Sequence, residues 1–237
     1  VDLGTASTVL TVTDASGHPV LVETHPSGAL RDGVVVDFVG AARVVALLRR
    51  RAEQRLGVAL AAAATAFPPG VPVSDQRTCR FVCERGGFDD VGLIDEISAA
   101  NRILDLRDGV IVDVGGGSTG VGIIAGGRLV HTDDRPGGGR HLDLILGGAL
   151  GISRVEAERR KRTATDRRYL AILRPGIERI ALAIRGMLPG AVTGHLHVAG
   201  GALLIDGAAE IVSDVLGMPV HTHANAELIT PLGIAGA

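Results

Sequence analysis

The chain has 237 residues, a length that accommodates one large or two small globular domains. Hydrophobic residues make up 46% of it and aromatic residues only 2%, so its core must consist mainly of Val, Leu, Ile and Ala. The net charge of −2 and the isoelectric point near 6.5 give no electrostatic reason to expect binding to nucleic acid or to a membrane surface. No run reaches the roughly 20 uninterrupted apolar residues that a membrane span requires.

The first half of the chain opens with a predicted β-meander, in which turns around Gly4 and Gly17 connect three β-rich runs. Because the chain begins within the first of these strands, we expect a few residues to precede Val1. A turn at 31–33 follows. Periodicity and turn signals then predict, in order, a helix at 41–56, a strand at 61–67, a helix at 75–84, a strand at 91–95 and a helix at 96–104 that crosses between the halves.

The second half repeats this order. A meander at 110–131 leads to the glycine-rich loop 135–139, and a helix is predicted from about Leu142. Ser153, with Glu156 three residues later, forms a capping-box pattern that predicts the start of another helix. The remaining predicted elements are a helix at 170–188 in which Pro175 marks a start or a kink, a strand at 195–199, a helix at 207–216, a strand at 220–223 and a helix from Pro231. This order, given twice, predicts an α/β duplication with a cleft between the halves.

One short motif occurs twice. Aspartate, glycine, serine and threonine follow in the same order from Asp2 and, 111 residues later, from Asp113, at the first turn of each meander. A glycine turn with few side chains exposes backbone N–H groups, which attract phosphate. An acid at the end of the preceding strand can hold Mg²⁺ through water. Two such turns facing each other would hold a polyphosphate from both sides, so the doubled motif predicts a nucleotide site.

Cysteine and histidine patterns give weaker signals. Cys79 and Cys83 are four residues apart in a predicted helix and share a face, which is typical of reduced core residues in a cytosolic protein. The pairs His195-x-His197 and His221-x-His223 each lie on one face of a predicted strand. Zinc would require a third and a fourth ligand at matching spacing, so we do not expect a metal at either pair.

Seven segments, taken together and in order, are similar to one protein family. They read RDGVVVDF at 31–38, FPPG at 67–70, DVGGGSTG at 113–120, GG at 138–139, AERRKR at 157–162, AGG at 199–201 and TPL at 230–232. With them the chain resembles the EutJ family of ethanolamine-utilisation proteins, within the superfamily of actin, DnaK-type chaperones and sugar kinases. The resemblance implies an α/β fold of duplicated ribonuclease-H-like lobes, the actin-like ATPase fold, with a nucleotide cleft. Lobe I would comprise 1–98 and a C-terminal helix at about 229–237, and lobe II would comprise 99–228.

The resemblance also implies roles in binding ATP and Mg²⁺. Asp2 and Asp113 match the aspartates that hold the magnesium shell. Glu96 matches the acid that positions the attacking water, with an ordinary glutamate at a surface helix start as the alternative. Backbone contacts to the β- and γ-phosphates are implied for Gly4, Thr5, Ala6, Gly115, Gly116, Gly117 and Ser118. Gly138 and Gly139 match a third phosphate-contacting loop, for which an ordinary flexible loop is the alternative.

The adenosine half of the nucleotide has its own implied contacts. Glu158, Lys161 and Arg162 match helix positions that grip the adenosine in DnaK-type chaperones, and Lys161 is the only lysine of the chain. A solvated charged helix face is the alternative interpretation of this run. Gly200 and Gly201 match the backbone approach to the ribose and the α-phosphate, where a close approach favours glycine.

Several positions depart from the superfamily pattern. The first half contains no lysine, so the place of the catalytic lysine of DnaK-type chaperones is vacant unless an arginine fills it, and Arg does not simply replace Lys. Ile97 and Ser98 follow Glu96 where the family usually has Pro and then Thr or Met. Gly120 stands in the place of a second acid, and Ala202 in the place of a serine that often contacts adenine. These departures indicate slow ATP turnover, or none.

The resemblance therefore implies a chaperone-like, Mg·ATP-binding protein of ethanolamine utilisation with weak hydrolysis. Its implied location is cytoplasmic, with bacterial microcompartments as a possible site of association, and its implied clients are ethanolamine ammonia-lyase or microcompartment components. The alternative from another class is a scaffold that binds nucleotide without hydrolysing it, as an actin-like or pilus-assembly-like adaptor. A sugar kinase fits less well because such enzymes are usually much longer.

Overall fold

The computed structural model describes residues 1–31, 33–190 and 194–237, so Asp32 of the predicted turn at 31–33 lies outside the described residues. The chain folds into two compact units. Unit 1 comprises Val1–Asp105 and Leu228–Ala237, and unit 2 comprises Leu106–Glu227. The sequence-based division at 98/99 falls inside a helix that groups with unit 1. No helix of the described part of the chain is long and apolar enough to cross a membrane.

The elements of residues 1–105 follow the predicted order, and the helix predicted at 96–104 has those bounds. They are β1 (Asp2–Leu3), β2 (Ser7–Thr13), β3 (Pro19–Pro26), β4 (Leu30–Arg31), β5 (Val34–Val35), α1 (Phe38–Leu56), β6 (Ala62–Phe67), α2 (Val73–Arg85), β7 (Asp90–Asp95) and α3 (Glu96–Leu104). Strands β1, β2 and β3 form an antiparallel sheet, and β6 pairs in parallel with β7.

The second part of the chain is built in the same way. Its elements are β8 (Gly109–Val114), β9 (Ser118–Ala125), β10 (Arg128–Pro136), α4 (Gly139–Leu150), α5 (Arg154–Thr163), α6 (Leu170–Met187), β11 (Leu196–Ala199), α7 (Ala208–Leu216), β12 (Val220–His221) and, returning to unit 1, α8 (Ile229–Ala235). The sheet of unit 2 has the order β10-β9-β8-β11-β12, in which β11 is parallel to both of its neighbours.

Helix boundaries differ from the predictions mainly at glycine and proline. Helix α4 begins at Gly139 rather than near Leu142, and α8 begins two residues before Pro231. Helix α6 begins at Leu170, so Pro175 lies inside it and does not mark its start. The predicted cap of α5 is confirmed, because the Ser153 hydroxyl accepts the N–H of Glu156 at 3.2 Å.

The predicted duplication is confirmed at the level of strand register. In unit 1 Asp2 is paired with Val9 across β1 and β2, and in unit 2 Asp113 is paired with Gly120 across β8 and β9, 111 residues later at both positions. Since a slip of one residue would turn every side chain to the other face of a sheet, this shared register means that the first two strands of each meander present equivalent positions to the equivalent face.

Each unit has an aliphatic core, as the composition requires. In unit 2 the strand β8 supplies Val110, Val112 and Val114, which are fully buried against residues of α4, α6 and α7. In unit 1 the core packs α1 and α2 around Cys79 and Cys83, which are free, buried thiols as expected. Burial raises the pKa of Cys79 to about 12 and also raises that of Cys83, so neither thiol is a reactive nucleophile near neutral pH.

Helices α3 and α8 pack at a point where only glycine fits. A Cβ atom at Gly233 would overlap the carbonyl of Ala99. Since the obstacle is backbone rather than a mobile side chain, we expect Gly233→Ala to lower the free energy of unfolding by about 2 kcal/mol or more. Denaturant unfolding measures this change.

The matched control is Gly148→Ala in α4, where an added Cβ would meet nothing within 4 Å. Alanine favours a helix over glycine, so this variant should gain up to about 1 kcal/mol. Equal effects of the two substitutions would contradict the described packing of α3 on α8.

Candidate functional site

In unit 2 the predicted binding glycines that follow β8 and β11 lie at the carboxyl ends of these two strands. Strands β8 and β11 are parallel, and Ala199 of β11 is paired with Asp113 of β8. The segments that follow the two strands therefore leave the sheet side by side, where open α/β sheets commonly bind ligands. Gly200 has a φ of +79°, and a Cβ there would overlap the carbonyl oxygen of Val114. Only glycine allows this approach.

The turn after β8, residues 115–117, is tightly bonded. The N–H of Gly115 donates to the carbonyl of Ser118 at 3.0 Å, which closes the turn. The carbonyl oxygen of Gly115 accepts the N–H of Gly139 at 2.9 Å, and that of Gly116 accepts the N–H of Arg140 at 2.9 Å. The N–H groups at the start of α4 are thus directed onto this turn.

The loop 137–140 consequently lies directly against the turn 115–117. The N–H of Gly137 donates to the carbonyl of Gly117 at 2.7 Å, and the hydroxyl of Thr119 donates to the carbonyl of Gly137 at 2.7 Å. A Cβ at Gly138 would overlap the carbonyl oxygen of Gly115. Two segments predicted separately as phosphate-contacting loops are therefore one bonded structure, together with the N-terminus of α4.

The corresponding turn of unit 1, residues 4–6, shares two of these bonds. The N–H of Gly4 donates to the carbonyl of Ser7 at 3.1 Å, as Gly115 does to Ser118. The N–H of Ser27 donates to the carbonyl of Ala6 at 2.9 Å, as Gly137 does to Gly117. Thr5 is buried, and Asp2 just before the turn is half-buried, as is Asp113 in unit 2. Both copies of the sequence motif therefore form a turn closed by the equivalent backbone bond.

The only lysine of the chain supports the loop of unit 2. Lys161 is 7% exposed, its ammonium lies 2.7 Å from an oxygen of Asp143, and it donates to the carbonyl of Gly139 at 3.1 Å. Burial raises the pKa of Asp143, and the attraction of Lys161 opposes that rise. The lysine thus ties α5 to the first turn of α4.

Sequence reasoning missed Asp143. A signal for it exists, because it is the only charged residue in the otherwise apolar run 142–150, on the helix that the third loop begins. An acid in an apolar helix requires a partner. Any of the 24 lysine and arginine residues could supply that partner, and nothing in the linear spacing joins positions 143 and 161.

The remaining residues of the predicted adenosine helix lie on α5. Glu158 is half-buried and is paired with Arg154 at 3.3 Å and with the exposed Arg162 at 3.8 Å. A Cβ at Gly139 would lie 3.4 Å from the Cβ of Ala202 and 3.5 Å from the Lys161 ammonium. The third loop, the lysine and the segment after Gly201 are therefore neighbours.

Glu96 lies at the start of α3, where an acid can also serve to stabilise the helix. It is the first residue of α3 and is half-buried, and the preceding Asp95 caps the helix by accepting the N–H of Ser98 at 2.7 Å. An acid in the first turn of a helix is favoured by the helix dipole. Its role toward an attacking water therefore stays a prediction.

The structure places the predicted residues in two sets. Unit 2 holds Asp113, Gly115, Gly116, Gly117, Ser118, Gly138, Gly139, Glu158, Lys161, Arg162, Gly200 and Gly201, and unit 1 holds Asp2, Gly4, Thr5, Ala6 and Glu96. Among the described residues no group of three or more His, Cys, Asp or Glu side chains could hold a metal ion. Mg²⁺ does not require such a group, because it is commonly held by one or two carboxylates and water.

Comparison with known proteins identifies the family. The family model described as MreB/Mbl protein matches residues 22–146, more than half of the chain. The ethanolamine utilization protein EutJ of Escherichia coli K12 is 35% identical over 238 residues, which cover all of this chain and 84% of that protein. The chain belongs to the EutJ family. The predicted resemblance is confirmed.

Solved structures agree with the assignment. The crystal structure of EutJ from Carboxydothermus hydrogenoformans is 40% identical, with a TM-score of 0.93 over 99% of this chain and 87% of that one. MreB5 of Spiroplasma citri, bound to ADP, is 18% identical, with a TM-score of 0.73 over 90% of this chain and 78% of that one. At that identity the likeness shows the fold alone. This EutJ-family chain therefore has the predicted actin-like ATPase fold.

The buried pair of Lys161 and Asp143 generates a prediction for stability. Lys161→Met leaves a buried carboxylate without its cation, which typically costs 3–5 kcal/mol. The native pKa of Asp143 is already raised from its ordinary 3.8, and removing the lysine raises it further. At a pH above the ordinary pKa of 3.8, the native state of the variant then binds more protons than the unfolded state. The loss of stability should therefore grow as the pH rises above 3.8 and shrink as the pH falls. Denaturant unfolding between pH 5 and about 8 measures this dependence.

Arg162→Met is the matched control, because Arg162 is the next residue on the same helix and its side chain is 63% exposed. It should change stability by less than about 0.5 kcal/mol. The double variant Lys161→Met/Asp143→Asn should recover part of the loss and show little pH dependence. A pH-independent loss in Lys161→Met would contradict the assigned pairing.

Proposed function

We propose that the chain binds Mg·ATP and acts in ethanolamine utilisation as a nucleotide-dependent, chaperone-like protein. The observation that carries the proposal is the repeated turn, in which Gly4 and Gly115 make the same backbone bond in equivalent strand register. A glycine turn with few side chains exposes backbone N–H groups, and such a turn suits phosphate. The ADP bound to MreB5, a protein of the same fold, supports the nucleotide class.

Each set of residues has a role in the proposal. The turns 4–6 and 115–118 would contact the β- and γ-phosphates, and Gly138 and Gly139 would add a third loop beside them. Asp2 and Asp113 would hold Mg²⁺ through water, because carboxylates at strand ends next to phosphate need a cation to offset repulsion. The Mg²⁺ would supply charge neutralisation of the phosphates.

The adenosine side relies on α5 and the segment after β11. Gly200 and Gly201 would allow the ribose and the α-phosphate to approach the backbone. Glu158 and Arg162 lie one helical turn apart and would offer an acceptor and a donor to the base and the sugar. We assign Lys161 a supporting role rather than a direct one, because its ammonium is buried between Asp143 and the carbonyl of Gly139.

Weak hydrolysis is part of the proposal. Glu96 would orient the attacking water, but Ile97 and Ser98 change the segment that follows it, and no lysine of the first half is present to stabilise the transferred phosphoryl group. A scaffold that binds nucleotide without hydrolysing it is the second candidate, and these same departures favour it. The EutJ relatives support the ethanolamine-utilisation setting. The lyase and microcompartment components are the clients that we propose from that setting.

The nucleotide proposal predicts a stability change that depends on Asp113. Thermal unfolding with and without Mg·ATP should show a rise in Tm, because a ligand at 100 times its Kd stabilises the native state by about 2.7 kcal/mol. Asp113→Ala should abolish the Mg-dependent part of the rise. Asp214→Ala, which changes an exposed carboxylate on α7, is the matched control and should keep the full rise. Equal rises in Asp113→Ala and wild type would reject the site.

Phosphate release from the same samples separates the two candidates. Stabilisation with release supports a weak ATPase, and Glu96→Gln should then lower the release while keeping the stabilisation. Stabilisation without release supports the scaffold, for which light scattering should be examined for nucleotide-dependent assembly. A sample that shows neither effect would mean that the duplicated turns persist as architecture only.

A further inference from the structure

Four histidines form a row at one edge of the sheet of unit 2. His195 directly precedes β11 and His197 lies within it, while His221 ends β12 and His223 follows two residues later. The two strands are parallel neighbours, and His197 is paired with His221. Because side chains two residues apart share a face of a strand, the sheet brings together two His-x-His pairs that are 26 residues apart in sequence.

The rings contact one another across the strands. His197 Nδ1 and His223 Nε2 are 3.2 Å apart, and His195 Nδ1 and His221 Nε2 are 2.6 Å apart. The His197 ring is stacked on those of His221 and His223, with centroids 5.1 and 5.3 Å away. His195 and His221 are exposed, and His197 and His223 are half-buried. The row is thus open to solvent on one side.

The separation of the His197 and His223 nitrogens matches that of two ligands on one metal ion. Two imidazole nitrogens at 2.0–2.1 Å from a tetrahedral ion lie about 3.3 Å from each other. A metal ion could therefore take the place of the proton between His197 and His223, with each ring turning so that its lone pair points at the ion. The closer pair, His195 and His221, would first have to separate.

We propose that His197 and His223 bind one divalent transition-metal ion of the zinc, nickel or copper class. Imidazole nitrogen suits these ions, whereas Mg²⁺ prefers oxygen ligands, so this site is distinct from the magnesium of the proposed nucleotide site. No third His, Cys, Asp or Glu side chain converges with them in the described part of the chain. Water fills the remaining positions, and the affinity is accordingly lower than that of a four-ligand zinc site. The ion joins β11 to the segment that follows β12.

Calorimetric titration of the full chain, without an added histidine tag, tests the site with Zn²⁺ and with Ni²⁺ in a non-chelating buffer near neutral pH. Wild type should bind one equivalent, and His197→Ala/His223→Ala should bind at least about tenfold more weakly. His18→Ala/His25→Ala is the matched control, because it removes two histidines of unit 1 and should bind as wild type does. Mg²⁺ should give no binding that depends on histidine.

Three results would overturn the assignment: unchanged affinity in His197→Ala/His223→Ala, an equal loss in the unit 1 control, or a larger loss in His195→Ala/His221→Ala. Amide NMR of the wild type gives a second readout that does not depend on a folded variant. Substoichiometric Cu²⁺ should broaden the signals of residues 195–199 and 220–224 selectively. Broadening centred on another part of the chain would reject the proposal.

Discussion

The arrangement of unit 2 depends on one close contact between backbones, that of the turn 115–117 with the loop 137–140. Carbonyl oxygens of the turn accept N–H groups from the loop and from the start of α4, and a side chain at Gly138 would prevent the approach. Backbone-to-backbone contact fixes the direction of α4. The end of β8, the loop and the start of α4 are thereby held together as one bonded structure.

A buried ion pair, that of Lys161 with Asp143, supports this contact. Lys161 of α5 neutralises Asp143 of α4 and also binds the carbonyl of Gly139, so one ammonium links the helix that carries Glu158 and Arg162 to the loop. A buried pair of this kind adds little net stability compared with apolar residues, but losing one partner is costly. The contribution of the pair here is to fix the position of α5 relative to the loop. It explains why a chain otherwise rich in arginine has its lysine at 161.

The duplication shows how far the two units have diverged. The register of the first two strands and the bond from Gly4 to Ser7 recur 111 residues later, whereas the third strands pair one residue out of step. The histidine row belongs to the edge of unit 2 formed by β11 and β12, away from the bonded loop in sequence and in sheet position. Ile97, Ser98 and Gly120 depart from the superfamily pattern, while Asp2, Asp113 and Glu96 match it.

Local sequence by itself determined the order and type of the elements, the α/β duplication and the two glycine turns. Glycine turns, apolar periodicity and caps such as Ser153 act over a few residues, so they can be recognised without the fold. Only the tertiary structure decided which distant residues meet: Asp143 with Lys161, and His197 with His223. Linear spacing also misplaced the starts of α4 and α8, which lie at Gly139 and two residues before Pro231. Proline is tolerated in the first turn of a helix, so Pro231 does not mark the first residue. Pairing across strands and between helices follows from the three-dimensional path of the chain, which linear spacing does not contain.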